Sequence, residues 1–230
     1  MWVAVLLLSS SLLLAMVQLV VSTSIDVDAA PSPWMDQSLP IPQRVSLLLK
    51  TLSVEQKIAQ TWAPYSGSMK SIQDQAAVGI GAVSMSIVSH EADTATTISR
   101  RNALQASFTS KSTVPISFFS EGLHGGANKG TVFPMPVNQG CSWNTSLVQA
   151  IASAIAAEAR SIGTDTVFAP VVNMWSDPRF GRLQEGFSDN PLITTHMGTA
   201  SVIGLQHGAK QLEYLDNTSV RGCVRACVRA

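Results

Sequence analysis

The sequence predicts an α/β fold built on a parallel sheet, and three observations carry that prediction. Short apolar runs alternate with longer stretches of helical periodicity, the pattern of parallel strands joined by right-handed helical crossovers. The run Val167 to Met174 is almost wholly apolar, as a strand buried on both faces should be. Two polar, glycine-containing clusters, Ser120 to Gly126 and Asp177 to Asp189, directly follow such runs, where α/β architectures gather their functional groups. Two architectures fit this order: a doubly wound sheet and a (β/α)8 barrel. No Gly-x-Gly-x-x-Gly follows the first strand and no phosphate-cradling Gly-x-x-x-x-Gly-Lys is present, which weakens the nucleotide-binding version.

Met1 to Ser24 is almost entirely apolar or small, with a plausible cleavage site at Val20 to Ser24. It is expected to be a signal peptide, giving a secreted protein. The alternative is an uncleaved, extracytoplasmic membrane anchor, because the run is long enough to span a bilayer and no Lys or Arg comes before Arg44. Residues 25–42 are rich in Pro, Ser and Asp and read as an extended arm. A short helical run covers Arg44 to Lys50, and Ser53-Val54-Glu55-Gln56 has the form of a capping box that opens a helix running through Ile58 and Trp62 to a stop at Pro64.

Val78 to Ile87 reads as the first strand, followed by a helix from about Glu91 to Ser110. Val114 to Phe119 is the second strand. Val148, Ile151, Ile155, Ala159 and Ile162 recur at steps of three and four, so Ser146 to Ile162 is a helix, and Gly163 ends it. Thr166 to Met174 is the third strand and Leu192 to Leu205 the next helix. Val220 to Val228 alternates as a fourth strand, with Val224, Ala226 and Val228 on one side.

Charged residues are only 13% of the chain against 46% hydrophobic, so much of the surface should be buried. Lys+Arg and Asp+Glu balance at 15 each, which gives no electrostatic ground for a nucleic-acid partner. Two sequons, at Asn144 and Asn217, are compatible with passage through a secretory pathway. Cys141, Cys223 and Cys227 define no disulfide framework and no zinc site.

Glu121, at a strand end and followed by glycine, either accepts two hydroxyls of a sugar or caps the next turn. Arg179 and Arg182 flank Phe180-Gly181, where glycine lets one guanidinium turn to a pocket while the other ties down the loop. Glu185 stands three residues beyond Arg182 and can hold its fork by a paired hydrogen bond; the plainer reading of this group is a surface ion-pair cluster. His124 either contacts a ligand or braces the backbone.

The blocks Ser120-Glu121-Gly122-Leu123-His124-Gly125, Thr131 to Pro134, Glu158 to Gly163, Phe168 to Asn173, Asp177-Pro178-Arg179-Phe180-Gly181-Arg182, Glu185 to Pro191 and Gly204-Leu205-Gln206 resemble, in order and spacing, the N-terminal domain of family 3 glycoside hydrolases. These are β-glucosidases, β-xylosidases and related exo-acting enzymes, and the resemblance runs from about Pro42 to Gln206. It implies a (β/α)8-type barrel, of which residues 43–230 would hold about the first four strands. It also implies hydrolysis of terminal β-D-glucosyl or β-D-xylosyl residues with retention, without cofactor or metal, on a β-linked oligosaccharide or glycoside.

By the same resemblance, Glu121 corresponds to the acid that binds hydroxyls of the terminal sugar, usually Asp, and Arg182 to an arginine of the same subsite. Glu185 matches the glutamate that follows it, and Arg179 and His124 complete the substrate-binding candidates. Asp189-Asn190-Pro191 stands where the family has Glu-Asp-Pro, and Arg225-Ala226 falls where it has Lys-His. The family's nucleophilic aspartate and acid/base glutamate match no Asp or Glu of residues 1–230, so no catalytic residue is assigned and the chain alone is expected to be inactive. A truncated barrel with an open edge is the resulting expectation, and the terminal Cys-Val-Arg-Ala repeat has the look of a lost reading frame. A non-catalytic sugar-binding remnant and a membrane-anchored interaction protein are the competing readings.

Overall fold

The computed structural model describes residues 32–90, 92–111, 114–126, 130–175, 177–206 and 221–223. Contacts divide the chain into two compact units, residues 1–52 and 53–230. In the first, a 3-10 turn at Pro33–Met35 precedes helix α1, Ile41–Thr51, and Arg44 Nε donates to the Trp34 carbonyl at 2.9 Å. The helix begins inside the stretch expected to be an extended arm, because Pro42 in its first turn forgoes no needed N–H. The apolar segment 1–24 lies outside the described residues.

The second unit carries helices α2 (Val54–Ala59), α3 (Met69–Gln73), α4 (Met85–Ser89), α5 (Thr94–Thr109), α6 (Pro136–Cys141), α7 (Thr145–Ser161) and α8 (Pro191–Leu205). The capping box at Ser53 and Gln56 is formed in both directions. Asp93, Asn144 and Asn190 cap α5, α7 and α8 through their side-chain oxygens, each satisfying an N–H that a helix start leaves unpaired. The sequon at Asn144 is therefore also a helix cap; the one at Asn217 lies outside the described residues.

The sheet contains β1 (Ala82–Ser84), β2 (Ser117–Glu121), β3 (Thr166–Phe168) and β4 (Arg221–Gly222), all parallel and in sequential order. Val83 lies beside Phe118 and Ser120 beside Val167, so Val83, Phe118 and Val167 share a face. That face meets the helices. Val83 and Phe118 join Ile72, Leu104 and Phe108 in one core cluster, and Val167 and Ala169 join Ile151, Ile155, Ala159 and Leu205 in another. Ser84, Phe119, Glu121, Thr166 and Phe168 occupy the opposite face. Among the described residues the helices cover one face and the strands add in order without reversal, the arrangement of a (β/α)8 barrel and not of a doubly wound sheet.

The strands differ from their expected bounds for local reasons. Gly79 has φ +96° and Gly81 presses on the Gln60 carbonyl, so the chain enters the sheet only at Ala82. Ser84 then caps α4, and the apolar residues Met85 and Ile87, read as strand, are helical. A short apolar run does not distinguish the two by periodicity. The second strand starts at Ser117, beyond Pro115, and continues through Glu121, which pairs with Phe168. The third ends at Phe168, ahead of Pro170, and only a bridge from Val171 to Gly186 follows. Of the fourth, Arg221–Gly222 is seen, and Val224 to Val228 lies outside the described residues. Cys141 and Cys223 are exposed free thiols.

Asp165 fixes the pairing of β2 with β3. Its Oδ2 accepts from Phe118 N at 2.9 Å, its own N–H donates to Phe118 O at 2.7 Å, and its carbonyl accepts from Arg221 N at 3.0 Å. Arg160 at the end of α7 binds Oδ1, and Arg101 of α5 lies 3.9 Å from Oδ2. The Arg101 guanidinium rests over the Phe118 ring, 4.6 Å from its centroid, and burial lowers its pKa while Asp165 opposes that shift. Replacing Asp165 by Ala strands the Phe118 N–H and two arginines. Urea unfolding is expected to show a loss of about 2–4 kcal/mol, with a smaller loss for Asp165→Asn.

Candidate functional site

At the C-terminal end of β2 and β3 a cleft of about 600 Å³ is lined by Tyr65, Glu121, Leu123, His124, Gly125, Met135, Phe168, Arg182 and Glu185. Four of the five site residues expected from the sequence therefore come together, although they span more than sixty positions of the chain.

Glu121 is placed by the last pair of the β2–β3 ladder, opposite Phe168. The Tyr65 hydroxyl donates to its Oε1 at 3.3 Å. The next residue must be glycine, because a Cβ at Gly122 would stand 2.7 Å from Val167 Cβ on the adjoining strand. Gly125 (φ +81°) and Gly126 (φ +74°) then turn the chain back, with Gly125 bridged to Val132. His124 and Phe133 close that turn. Phe133 N donates to the His124 carbonyl at 2.8 Å, and His124 Nδ1 lies 3.1 Å from the Phe133 carbonyl. A carbonyl only accepts, so Nδ1 carries the proton, and in the neutral ring Nε2 is an acceptor. His124 thus braces the backbone and lines the cleft at once. Glu158 of α7 anchors the far side of the turn through Thr131 N (2.8 Å) and Oγ1 (2.6 Å).

The second group of polar residues arrives on the loop after β3. Arg182 Nε donates to Glu185 Oε1 at 2.7 Å and its terminal nitrogen to Oε2, the paired fork their spacing suggested. Glu185 is 15% exposed and Arg182 48%, so the carboxylate anchors and the guanidinium faces the opening. Arg179 does not line the cleft. Its side chain is 89% exposed and paired through Nε and a terminal nitrogen with Asp177, which also caps the 3-10 turn Pro178–Phe180. Gly181 at φ +78° lets the chain reverse between the two arginines, so one is given to the loop and the other to the cleft.

Three aromatic rings complete the site. Phe119 and Phe168, on the helix-free face of the sheet, stack at 4.8 Å between centroids, and Tyr65 lies against Phe119 at 6.1 Å. Tyr65 and Phe168 were missed as site residues. Phe168 had a signal in its alternation with the buried Val167; Tyr65 had none beyond its place after Pro64. A neighbouring groove of about 580 Å³ between Pro170, Met174 and α8 holds no charged group and offers no comparable chemistry.

Residues 53–217 match the family model described as the glycosyl hydrolase family 3 N-terminal domain. The chain belongs to this family. It is 38% identical over 106 residues to β-xylosidase/α-L-arabinofuranosidase 1 of Medicago sativa subsp. varia, covering 39% of this chain and 14% of that protein. It is 32% identical over 108 residues to the periplasmic β-glucosidase of Salmonella typhimurium, covering 47% and 14% respectively. A solved β-glucosidase from Erythrobacter marinus superposes with a TM-score of 0.73 at 27% identity, covering 86% of this chain and 27% of that one. The chain thus spans between about one seventh and just over one quarter of the length of these proteins.

The Arg179 side chain is the first cause of a lowered Asp177 pKa, with the Arg179 N–H second. Carboxyl NMR is expected to place the Asp177 midpoint below the ordinary value of about 3.9, and Arg179→Ala to move it back up. Stability from this pair is complete above the unfolded-state pKa and fades as pH falls through the lower folded one.

Proposed function

We propose that the cleft binds the terminal, non-reducing β-D-glucosyl or β-D-xylosyl residue of a saccharide, as one part of the sugar subsite of a retaining exo-acting β-glycosidase. The observation that carries this reading is the meeting of Glu121 from the end of β2 with Arg182 and Glu185 from the loop after β3. A carboxylate accepts from sugar hydroxyls and a guanidinium donates to sugar oxygens, so the two together recognise a ring rich in both. The aromatic side chains beside them suit its apolar C–H face.

Glu121 receives the Tyr65 hydroxyl and Glu185 is held in a fork with Arg182. Both are binding groups in this reading. A retaining glycosidase needs a nucleophilic carboxylate and a proton-donating one about 5 Å apart across the scissile bond, and these come from outside the lining residues. The β-xylosidase and β-glucosidase names of the relatives support the substrate class. The periplasmic Salmonella relative and the apolar segment 1–24 support an extracytoplasmic location. A mature N-terminus near residue 25, read by protein sequencing after expression with the native leader, is the expected outcome.

Calorimetric titration of the 230-residue chain with methyl β-D-xylopyranoside and methyl β-D-glucopyranoside tests the reading. Binding is expected, weakened about tenfold or more by Glu121→Ala or Arg182→Ala, in line with loss of a charge-assisted hydrogen bond. Absence of binding to either glycoside overturns it. No release of nitrophenol from the matching chromogenic glycosides is expected from this chain; release would place the nucleophile and acid among its own residues.

A further inference from the structure

We propose that Tyr65 is a positioning residue of the sugar subsite, fixing the Glu121 carboxylate through its hydroxyl and presenting its ring as a wall for one face of the pyranose. This inference rests on the reading of the cleft as a sugar subsite and adds a residue that no sequence signal pointed to.

Tyr65 is not a core residue, since it is 53% exposed, yet it is held from three directions. Its ring lies against the buried Phe119, its hydroxyl meets Glu121 at 3.3 Å, and its carbonyl accepts from the Ser86 hydroxyl at 3.3 Å. The preceding Pro64 carbonyl accepts from Ser84 N at 3.2 Å. The backbone around Tyr65 is thereby tied to the end of β1, while Glu121 belongs to the end of β2, so the hydroxyl contact spans two strand ends. An unanchored glutamate at such a position samples many rotamers, and ordering it on binding opposes affinity. A tyrosine hydroxyl donating to Oε1 removes part of that freedom before the sugar arrives. The ring adds an apolar surface with a polar tip, the combination that suits a saccharide, which has C–H faces and hydroxyl edges.

The chain has two tyrosines, Tyr65 and Tyr214, so ring-labelled tyrosine gives two NMR signals, and the one absent from Tyr65→Phe belongs to Tyr65. With methyl β-D-xylopyranoside and methyl β-D-glucopyranoside as probes, that signal is expected to shift saturably. Glu121→Ala is expected to move it without any ligand. By calorimetry Tyr65→Phe, which keeps the ring and its packing on Phe119, should bind about 3–10-fold more weakly with an unchanged thermal midpoint. Tyr65→Ala should bind about 30-fold or more weakly, having lost ring and hydroxyl together. Wild-type binding together with equal binding by Tyr65→Phe overturns the positioning role and leaves the subsite reading intact. Failure of the wild-type chain to bind either glycoside overturns both.

Discussion

The site exists because β2 and β3 pair in one register, and Asp165 is what sets that register. Its backbone continues the ladder from Phe118 to Arg221, and its carboxylate takes the Phe118 N–H that no backbone carbonyl receives. A slip of one residue would put Glu121 and Phe168 on opposite faces of the sheet, so that either Phe119 and Glu121 turn towards the helices or Val167 enters the cleft. Two arginines from α5 and α7 converge on the same carboxylate, so the helices that cover the sheet are tied to the atom that aligns it. The ion pairs are partly exposed and individually weak. Their weight comes from the buried backbone N–H that Asp165 satisfies and from the Arg101 side chain laid across Phe118.

Above that register, the site is assembled from turns whose glycines answer definite steric demands. Gly122 lets the chain pass Val167, Gly125 and Gly126 reverse it so that His124 meets Phe133, and Gly181 separates the loop-holding Arg179 from Arg182. Each charged or polar group of the cleft is braced by a partner: Glu121 by Tyr65, Arg182 by Glu185, His124 by the Phe133 carbonyl. Such bracing lowers the entropy lost when a ligand binds, which matters most for weakly held neutral molecules such as sugars.

Much of this arrangement was legible in the sequence, because spacing encodes it. The three-residue step from Arg182 to Glu185 permits the paired fork, and the step of three and four from Val148 to Ile162 defines α7 and its buried face. Glu121, His124, Arg182 and Glu185 stood out as polar groups at strand ends. The misreadings lie where local sequence is ambiguous or the cause is distant. Met85 and Ile87 are apolar in strand and helix alike, and a serine cap decided for helix. Arg179 and Arg182 are the same residue type in one motif, and only the Asp177 cap with the reversal at Gly181 separates their roles. Tyr65 reaches Glu121 across 56 positions, a contact no window of sequence reveals.

The Asp165 cluster and the cleft sit at opposite ends of the same strands. Durability and the cleft's polar side chains are thus assigned to separate rims, joined through the strands and through α7, whose Arg160 holds Asp165 and whose Glu158 anchors the turn at Thr131. Substitutions at the lower rim aimed at heat tolerance must therefore keep the Asp165 contacts that align the strands, whereas side chains of the upper rim can be exchanged without touching them.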